Sequence, residues 1–381
     1  MTSKTILLTG GAGFIGQNLV HHLLRESPEC KLIIIDSLTY AANPASLQAP
    51  IESGQITFVR GDISELSNVR AIFELHPIEE VAHLAAESHV DRSIRGPDAF
   101  VETNILGTYN LLKCALDHWR SRSCLDRARF LHVSTDEVFG DLGPEEPPFT
   151  ESSPYKPSSP YSATKAASDH LARAFCKTYG LPVIVTNCSN NYGPYQHPEK
   201  LIPLMILHAL EGTGLPIYGD GSNIRDWLYV EDHCRAIALA LDKGTAGETY
   251  NIGGGMEKSN REVVGEVCDL IDMRFRQDPS LAQKYPNCPS STGDTCQSLI
   301  TFVGDRPGHD RRYAINMDFA CRKLQFRPRE TFATGLLQTV DWYLENEAWC
   351  RQAMSPEHSV WLANNYGSRT SSAPIPHVQG A

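Results

Sequence analysis

No stretch of the 381 residues stays apolar for anything near the ~20 positions that a membrane-crossing helix needs, which excludes a hydrophobic transmembrane segment. Basic residues are in the minority, 34 lysines and arginines against 45 acids, for a formal charge of −11. No basic stripe interrupts this balance, so a nucleic-acid surface, which needs clustered cations against a polyanion, is excluded as well. Any bound phosphate must be held by a few local arginines and by backbone amides. None of the eleven cysteines forms a CxxC pair or alternates with histidine at metal-ligand spacing. No metal is therefore expected, and the thiols read as free ones in a reducing compartment. No internal repeat is present. The chain runs straight into an apolar β-rich segment at Ile6-Leu7-Leu8, which leaves no room for a secretory leader and predicts a cytoplasmic protein.

What is present is a regular alternation of two periodicities. Continuous apolar runs at 6–9, 32–35, 56–60, 81–85, 129–134 and 183–187 read as strands, and the segments 14–25, 67–75, 101–119 and 162–179 between them read as helices. Apolar strands alternating with helices predict an α/β fold with a doubly wound parallel sheet of Rossmann type. From about Tyr192 the pattern loosens. A helix at 201–211, the run Pro216-Ile217-Tyr218-Gly219, a helix at 230–241 and a strand at 248–252 follow. The expected division is a dinucleotide-binding domain over 1–190 and a smaller, interleaved C-terminal α/β lobe over 191–366. Part of that lobe, near 230–252, returns to the main sheet, and a disordered tail covers 367–381. The segment 275–298 mixes Pro, Gln, Ser and Cys without periodicity and reads as a surface excursion with one short helix.

The turn Thr9-Gly10-Gly11-Ala12-Gly13-Phe14-Ile15-Gly16 follows the first strand and opens the first helix. Gly11, Gly13 and Gly16 spell GxGxxG, while Gly10, Gly13 and Gly16 spell GxxGxxG. Glycine is needed because the backbone must turn tightly and approach a pyrophosphate whose charge the helix N-terminus stabilises. Asp36 ends the second strand twenty residues after Gly16, placed for both adenosine ribose hydroxyls; an acid there repels a 2′-phosphate and selects NAD over NADP. Asp62 and Ile63, after the third strand, suit an adenine, although Asp62 could equally cap the next helix. Leu84, Ala85 and Ala86, at the end of the fourth strand, are small enough for close approach to a flat cofactor.

Tyr161 and Lys165 lie four positions apart, one turn from each other on one helix face. The spacing predicts a lysine that draws the tyrosine pKa from ~10 toward neutrality, so that the phenol serves as a base. Asp136 and Glu137 follow an apolar strand and add an acid and a base, with Thr135 beside them to hydrogen-bond a substrate hydroxyl. A redox tyrosine next to an acid–base pair points to oxidation coupled to an elimination.

These strings resemble the nucleotide-sugar 4,6-dehydratases of the extended short-chain dehydrogenase/reductase family. The resemblance rests on TGGAGFIG (9–16), HLAAESHVDRSI (83–94), ETNILGTYNLL (102–112), STDEVFG (134–140), PSSPYSATK (157–165), NNYGPYQHPEKLIP (190–203), IRDWLYVEDH (224–233), YNIGGG (250–255) and DRPGHDRRYAI (305–315), and spans about 5–366. It implies an NAD-dependent lyase in deoxysugar biosynthesis acting on dTDP-glucose, with UDP-glucose or another nucleotide hexose as the alternative and a UDP-glucose 4-epimerase as the runner-up chemistry. It implies that Tyr161, with Thr135 and Lys165, takes the proton from the carbon 4 hydroxyl, that Glu137 takes the proton from carbon 5, and that Asp136 protonates the departing carbon 6 hydroxyl. It adds Ser37, Leu38, Thr39, Ser88, Thr103 and Asn191 to the cofactor contacts. For the substrate it implies Ser88, Thr135, Asn190, Lys200, Leu201, Pro216, Tyr218, Arg225, Asn260, Arg306, His309 and Tyr366, the two arginines neutralising the diphosphate. It further implies a homodimer paired through the helices at 101–119 and 162–179.

Overall fold

The computed structural model describes residues 4–354; Tyr366 and the expected tail at 367–381 lie outside them. In chain order the strands are β1 Thr5–Thr9, β2 Lys31–Asp36, β3 Ile56–Arg60, β4 Glu80–His83, β5 Arg129–Thr135 and β6 Val183–Cys188. They continue as β7 Asn190–Tyr192, β8 Leu215–Tyr218, β9 Ile224–Tyr229, β10 Thr249–Ile252, β11 Glu257–Ser259 and β12 Ile300–Val303. Two compact units share them. Unit 1 comprises the chain up to Tyr195, Asp226–Glu257 and Arg312–Phe332; unit 2 comprises Gln196–Arg225, Lys258–Arg311 and the described residues from Ala333 onward.

Unit 1 is built on a seven-stranded parallel sheet in the order β10-β6-β5-β4-β1-β2-β3. Successive side chains of a strand point to opposite faces, and the sequence supplies apolar residues for both. Leu8 and Ile34 pack with Leu19 of the helix Phe14–Glu26 and Ile237 of the helix Val230–Lys243. Their neighbours Leu7 and Ile33 pack on the other face with Ile72 of the helix Leu66–Leu75 and Leu112 and Trp119 of the helix Thr108–Ser121. Each such side chain contributes about 1.5–3 kcal/mol on burial, which is why these strands read as unbroken apolar runs. The strand order reverses between β1 and β4, and a crevice at the carboxyl ends of strands at such a reversal is where doubly wound sheets take ligands.

The helix Pro160–Tyr179 begins where Ser159 and Ser162 form a capping box, with Pro160 in the first turn, and stops at Gly180 with φ +72°. The expected single helix over 101–119 opens instead with a π-helical segment, Val101–Gly107, that runs into the α-helix Thr108–Ser121. A parallel pairing of Asn190–Tyr192 with Trp227–Tyr229 forms most of a second, small sheet.

In unit 2 the helix Leu201–Glu211 packs on the helix Asn260–Gln277, and β8 pairs parallel with β12. The longer helix was hidden in the sequence by its polar face. Its Ser259–Glu262 capping box and its buried Val263, Val264, Val267, Ile271 and Phe275 carry it three residues into the segment expected to be irregular. The rest of that segment holds a short helix, Ser280–Lys284, and the 3-10 turns Pro289–Thr292 and Cys296–Leu299. Among the described residues no helix is long and apolar enough to cross a membrane.

Candidate active site

At the end of β1 the chain turns through Gly10 at φ +72°. A Cβ there would lie 2.7 Å from the Ala85 backbone nitrogen, and one on Gly16 would lie 2.0 Å from the Gly10 carbonyl oxygen. Only bare backbone fits either place. The helix Phe14–Glu26 begins at Gly13 with no side chain capping it, so its first turn is left to an anion. Asp36 at the end of β2 accepts the Ala12 N–H at 2.9 Å on one oxygen and the Leu38 N–H at 2.8 Å on the other. A carboxylate offers about four acceptor positions, so two remain for vicinal hydroxyls. Burial pushes the Asp36 pKa up and these two amides pull against it. Leu38 is held in the left-handed region at φ +56°, a conformation costing ~1–2 kcal/mol that the Asp36 bond offsets. Ser37 and Thr39 flank it.

The fourth strand is anchored by a chain of buried bonds. The Thr108 hydroxyl donates to the Asn104 carbonyl, so Thr108 accepts from His83 Nε2 at 2.9 Å, and His83 Nδ1 in turn accepts the Thr9 hydroxyl at 2.8 Å. The Thr9 oxygen then accepts the N–H groups of Leu84 and Ala85. Burial holds the His83 pKa well below its usual value, in keeping with this neutral tautomer. Asn104 bonds both backbone groups of Glu87 and the Thr164 hydroxyl, which fixes the Ala86-Ser88 turn to the helix carrying Tyr161. Asp62 accepts the Ser64 N–H at 2.8 Å, while the helix Leu66–Leu75 is N-capped at Glu65; the acid therefore shapes a turn and does not cap that helix. Ile63 is buried against Gly107 of the π segment that also carries Thr103. A bare amide turn, a carboxylate with spare acceptors and a small-residue strand end together fit a dinucleotide lacking a 2′-phosphate.

The residues expected to react gather near the end of β5. Thr135 caps the 3-10 turn Asp136–Phe139 by accepting the Glu137 N–H, Asp136 is buried and Glu137 half-buried. Tyr161 is 8% exposed, its ring edge-on to Phe100. The expected depression of the Tyr161 pKa by Lys165 is not found. Burial first, then the charges of Glu137, Cys188 and Asp136, push the phenol well above its usual range, with Thr135 the one group pulling it down. The reason lies in the lysine. Its Nζ donates to the Val133 carbonyl at 2.8 Å, and burial lowers its own pKa while Asp169, one turn further on, raises it. Burial works against the Asp169 charge, but the bond from His132 and the positive neighbours hold its pKa below the usual carboxylate range. Tyr155 and Asn187 also donate to it.

Asn190 and Asn191 lie on β7. Asn191 donates to the Ser189 carbonyl at 2.9 Å and accepts from His233 Nδ1 at 2.9 Å, His233 being a fully buried histidine whose pKa burial lowers to about 3. Sequence reasoning missed His233, Cys188, Asn104 and the His132–Asp169 pair. Each sat inside or beside a recognised string, but nothing in the spacing told a partner from its neighbours.

In unit 2, Arg225, Arg306, His309 and Tyr218 come together. Arg225 donates to the carbonyls of Ile224 (2.7 Å) and Asp310 (3.0 Å), and the His309 ring stands edge-on to Tyr218. Burial lowers the His309 pKa, the Asp305 carboxylate 2.6 Å away raises it, and Arg306 and Arg225 lower it again. Asn260 joins this group through the Asn223 carbonyl, which accepts its N–H, while the Asn223 side chain donates to the same Asp310 carbonyl as Arg225. Lys200 and Leu201 open the helix Leu201–Glu211, and Pro216 lies on β8. Among the described residues no group of three or more His, Cys, Asp or Glu side chains could hold a metal ion.

Residues 7–339 match the family model described as GDP-mannose 4,6 dehydratase. The chain is 51% identical over 374 residues to the dTDP-glucose 4,6-dehydratase of Salmonella typhimurium, covering 96% of this chain and 99% of that one. It is also 51% identical over 377 residues to dTDP-glucose 4,6-dehydratase 1 of Escherichia coli, with the same coverage. The crystal structure of DesIV, the dTDP-glucose 4,6-dehydratase of Streptomyces venezuelae solved with NAD bound, superimposes with a TM-score of 0.80 at 46% identity, over 92% of this chain and 99% of that one. Matched over most of its length to these dehydratases, the chain belongs to the nucleotide-sugar 4,6-dehydratase family.

Proposed function

We propose that this chain converts dTDP-glucose to dTDP-4-keto-6-deoxyglucose and water, using NAD that is regenerated in every turnover. The observation that carries the reading is the Asp136-Glu137 pair on one turn, electrostatically coupled to the Tyr161 phenol. A 4-epimerase shares the cradle and the tyrosine but has no use for that pair. Gly10, Gly13, Phe14, Ile15 and Gly16 would hold the pyrophosphate, Asp36 the ribose, and Leu84, Ala85, Ala86, Thr103 and Asn191 the remainder. Bound NAD supplies a hydride acceptor for carbon 4, a donor back to carbon 6, and a positive ring beside the tyrosine.

Tyr161, in its ionised form and beside Thr135, takes the proton of the carbon 4 hydroxyl. The resulting ketone acidifies carbon 5, from which Glu137 takes the proton while Asp136 gives one to the leaving hydroxyl; once carbon 6 has been reduced, carbon 5 takes a proton back. Lys165, its Nζ bonded to the Val133 carbonyl and its charge favoured by Asp169 against burial, stands one turn from the tyrosine on the same helix. Arg225 and Arg306 neutralise the diphosphate, with Tyr218 and His309 beside them. We also read the protein as cytoplasmic and as a homodimer, the latter because Val101, Leu106, Tyr109 and Tyr179 are exposed on the two helices named above. Purified protein given dTDP-glucose without stoichiometric NAD should form the 4-keto product, seen by its absorbance in alkali. Clean formation of a galactose epimer would overturn the reading, and a panel with UDP-, CDP-glucose and GDP-mannose fixes the nucleotide.

A further inference from the structure

The segment 285–299 of unit 2 holds two thiols that the proposed reaction does not use. Cys288 and Cys296 stand eight positions apart in sequence, their sulfurs 3.6 Å from each other, and both are buried. The loop between them is firmly held. Asp272, on the helix Asn260–Gln277, accepts from the Ser290 hydroxyl (2.5 Å), the Thr295 hydroxyl (2.6 Å) and the Cys296 N–H (3.1 Å). Tight packing fixes the loop's entry as well, since a Cβ on Gly212 would meet the Asn287 carbonyl oxygen at 2.2 Å. The two sulfurs are thus kept together by their surroundings. They need approach by only ~1.5 Å to reach bonding distance, a movement within reach of side-chain rotation.

We infer that Cys288 and Cys296 form an oxidation site that a peroxide converts to an intraloop disulfide. Because the Ser290 hydroxyl donates to Asp272, the Cys296 thiol is the donor in its 3.2 Å contact with Ser290 and so keeps its proton, while the contact between the two sulfurs, ahead of the opposing burial, draws the Cys288 pKa down to about 7. Cys288 is therefore the attacking thiolate. The nearby Cys268 is pushed up to about 12 by burial and by Asp272, which keeps it protonated. In the first step the Cys288 sulfur takes one oxygen from hydrogen peroxide, the O–O bond breaks, and hydroxide leaves to be protonated to water. In the second step the Cys296 sulfur attacks the resulting sulfenic sulfur, the S–S bond forms, the S–O bond breaks, and hydroxide leaves with the Cys296 proton as a second water. Two thiols lose two electrons and the peroxide gains them.

The test treats the full chain with equimolar hydrogen peroxide, blocks remaining thiols, and maps the product by mass spectrometry. The expected result is loss of the mass of two hydrogens, a cross-link between Cys288 and Cys296, and full reversal by a thiol reductant. Cys296→Ser should accumulate a sulfenic acid at Cys288 that a 1,3-dicarbonyl reagent traps, whereas Cys288→Ser should give neither trap nor cross-link. A cross-link through Cys268 instead, sulfinic acid at Cys288 without a cross-link, or equal oxidation of the other buried thiols would overturn the proposal. The wild-type map decides even if a variant folds poorly.

Discussion

The groups proposed for chemistry in unit 1 and those proposed for recognition in unit 2 are held in different ways. Thr135 ends a strand registered residue by residue on its neighbour, Ser134 opposite Asn187 and Thr135 opposite Cys188, and the Lys165 Nζ is pinned to the same strand at Val133. Arg306 and His309 instead hang from a loop, and Arg225 sits at the start of β9, their order coming from carbonyl and carboxylate partners, Asp310 and Asp305 above all. Proton transfer loses most of its rate when the reacting atoms are displaced by an ångström. Attraction between a guanidinium and a phosphate falls only as the reciprocal of distance. A sheet suits the first demand, and loops suffice for the second. Substitutions in unit 1 should therefore act on kcat and those in unit 2 on KM.

The strongest test of that division is Tyr161→Phe. It should lower kcat by about 10³-fold or more while leaving KM nearly unchanged, as expected when a general base is removed from a site that still binds. Steady-state rates on dTDP-glucose measure both, and a large rise in KM at unchanged kcat would erase the contrast between the units. Glu137→Gln comes next, at about 10²–10³-fold in kcat. A single turnover of this variant should build up reduced nicotinamide absorbance that does not decay, because oxidation at carbon 4 proceeds and the elimination stalls. If no such absorbance develops, the acid pair serves the oxidation instead and the assignment of roles fails.

The same contrast governs what could be read from the sequence. Asp36, Asp136, Glu137 and the glycine turn were legible because parallel strands of apolar residues announce their own ends, and ligands are taken at those ends. Tyr161 and Lys165 were legible as a pair because helical spacing places them on one face. The state of the pair was not: whether Lys165 addresses the phenol or the Val133 carbonyl is decided by strand register, which spacing does not encode. His233 escaped for a similar reason, since it meets Asn191 across 42 positions. The helix Asn260–Gln277 escaped because its charged outer face diluted an inner stripe that only its buried positions disclose.

In unit 2 the test is Arg306→Ala. A charge-assisted bond to a phosphate contributes about 1.5–3 kcal/mol, so KM for the nucleotide sugar should rise about 10- to 100-fold with kcat little altered. Initial rates over a range of substrate concentrations separate the two quantities. A comparable fall in kcat would mean that the loop cations also position the sugar for chemistry, and the two units would no longer divide the labour.

The smallest effect probes how unit 1 holds Asn191. The neutral His233 ring donates from Nδ1 to the Asn191 side chain, and its buried Nε2 has no partner that would accept a second proton. Burial accordingly lowers the pKa from the usual 6.5 to about 3. The unfolded chain takes up a proton at this residue below pH ~6.5 while the folded chain does not until about pH 3. Stability attached to His233 is thus fully present above pH ~6.5 and is lost progressively as the pH falls toward 3, by about 1.4 kcal/mol at pH 5.5. His233→Asn keeps a donor for Asn191 but does not titrate. Its urea-unfolding free energy should drop between pH 7.5 and 5.5 by about 1.4 kcal/mol less than that of the wild type, whatever its stability at pH 7.5. Identical drops would show that His233 is protonated in the folded protein by pH 5.5, and the rigid frame assigned to unit 1 would then yield at a residue bonded to the proposed cofactor contact Asn191.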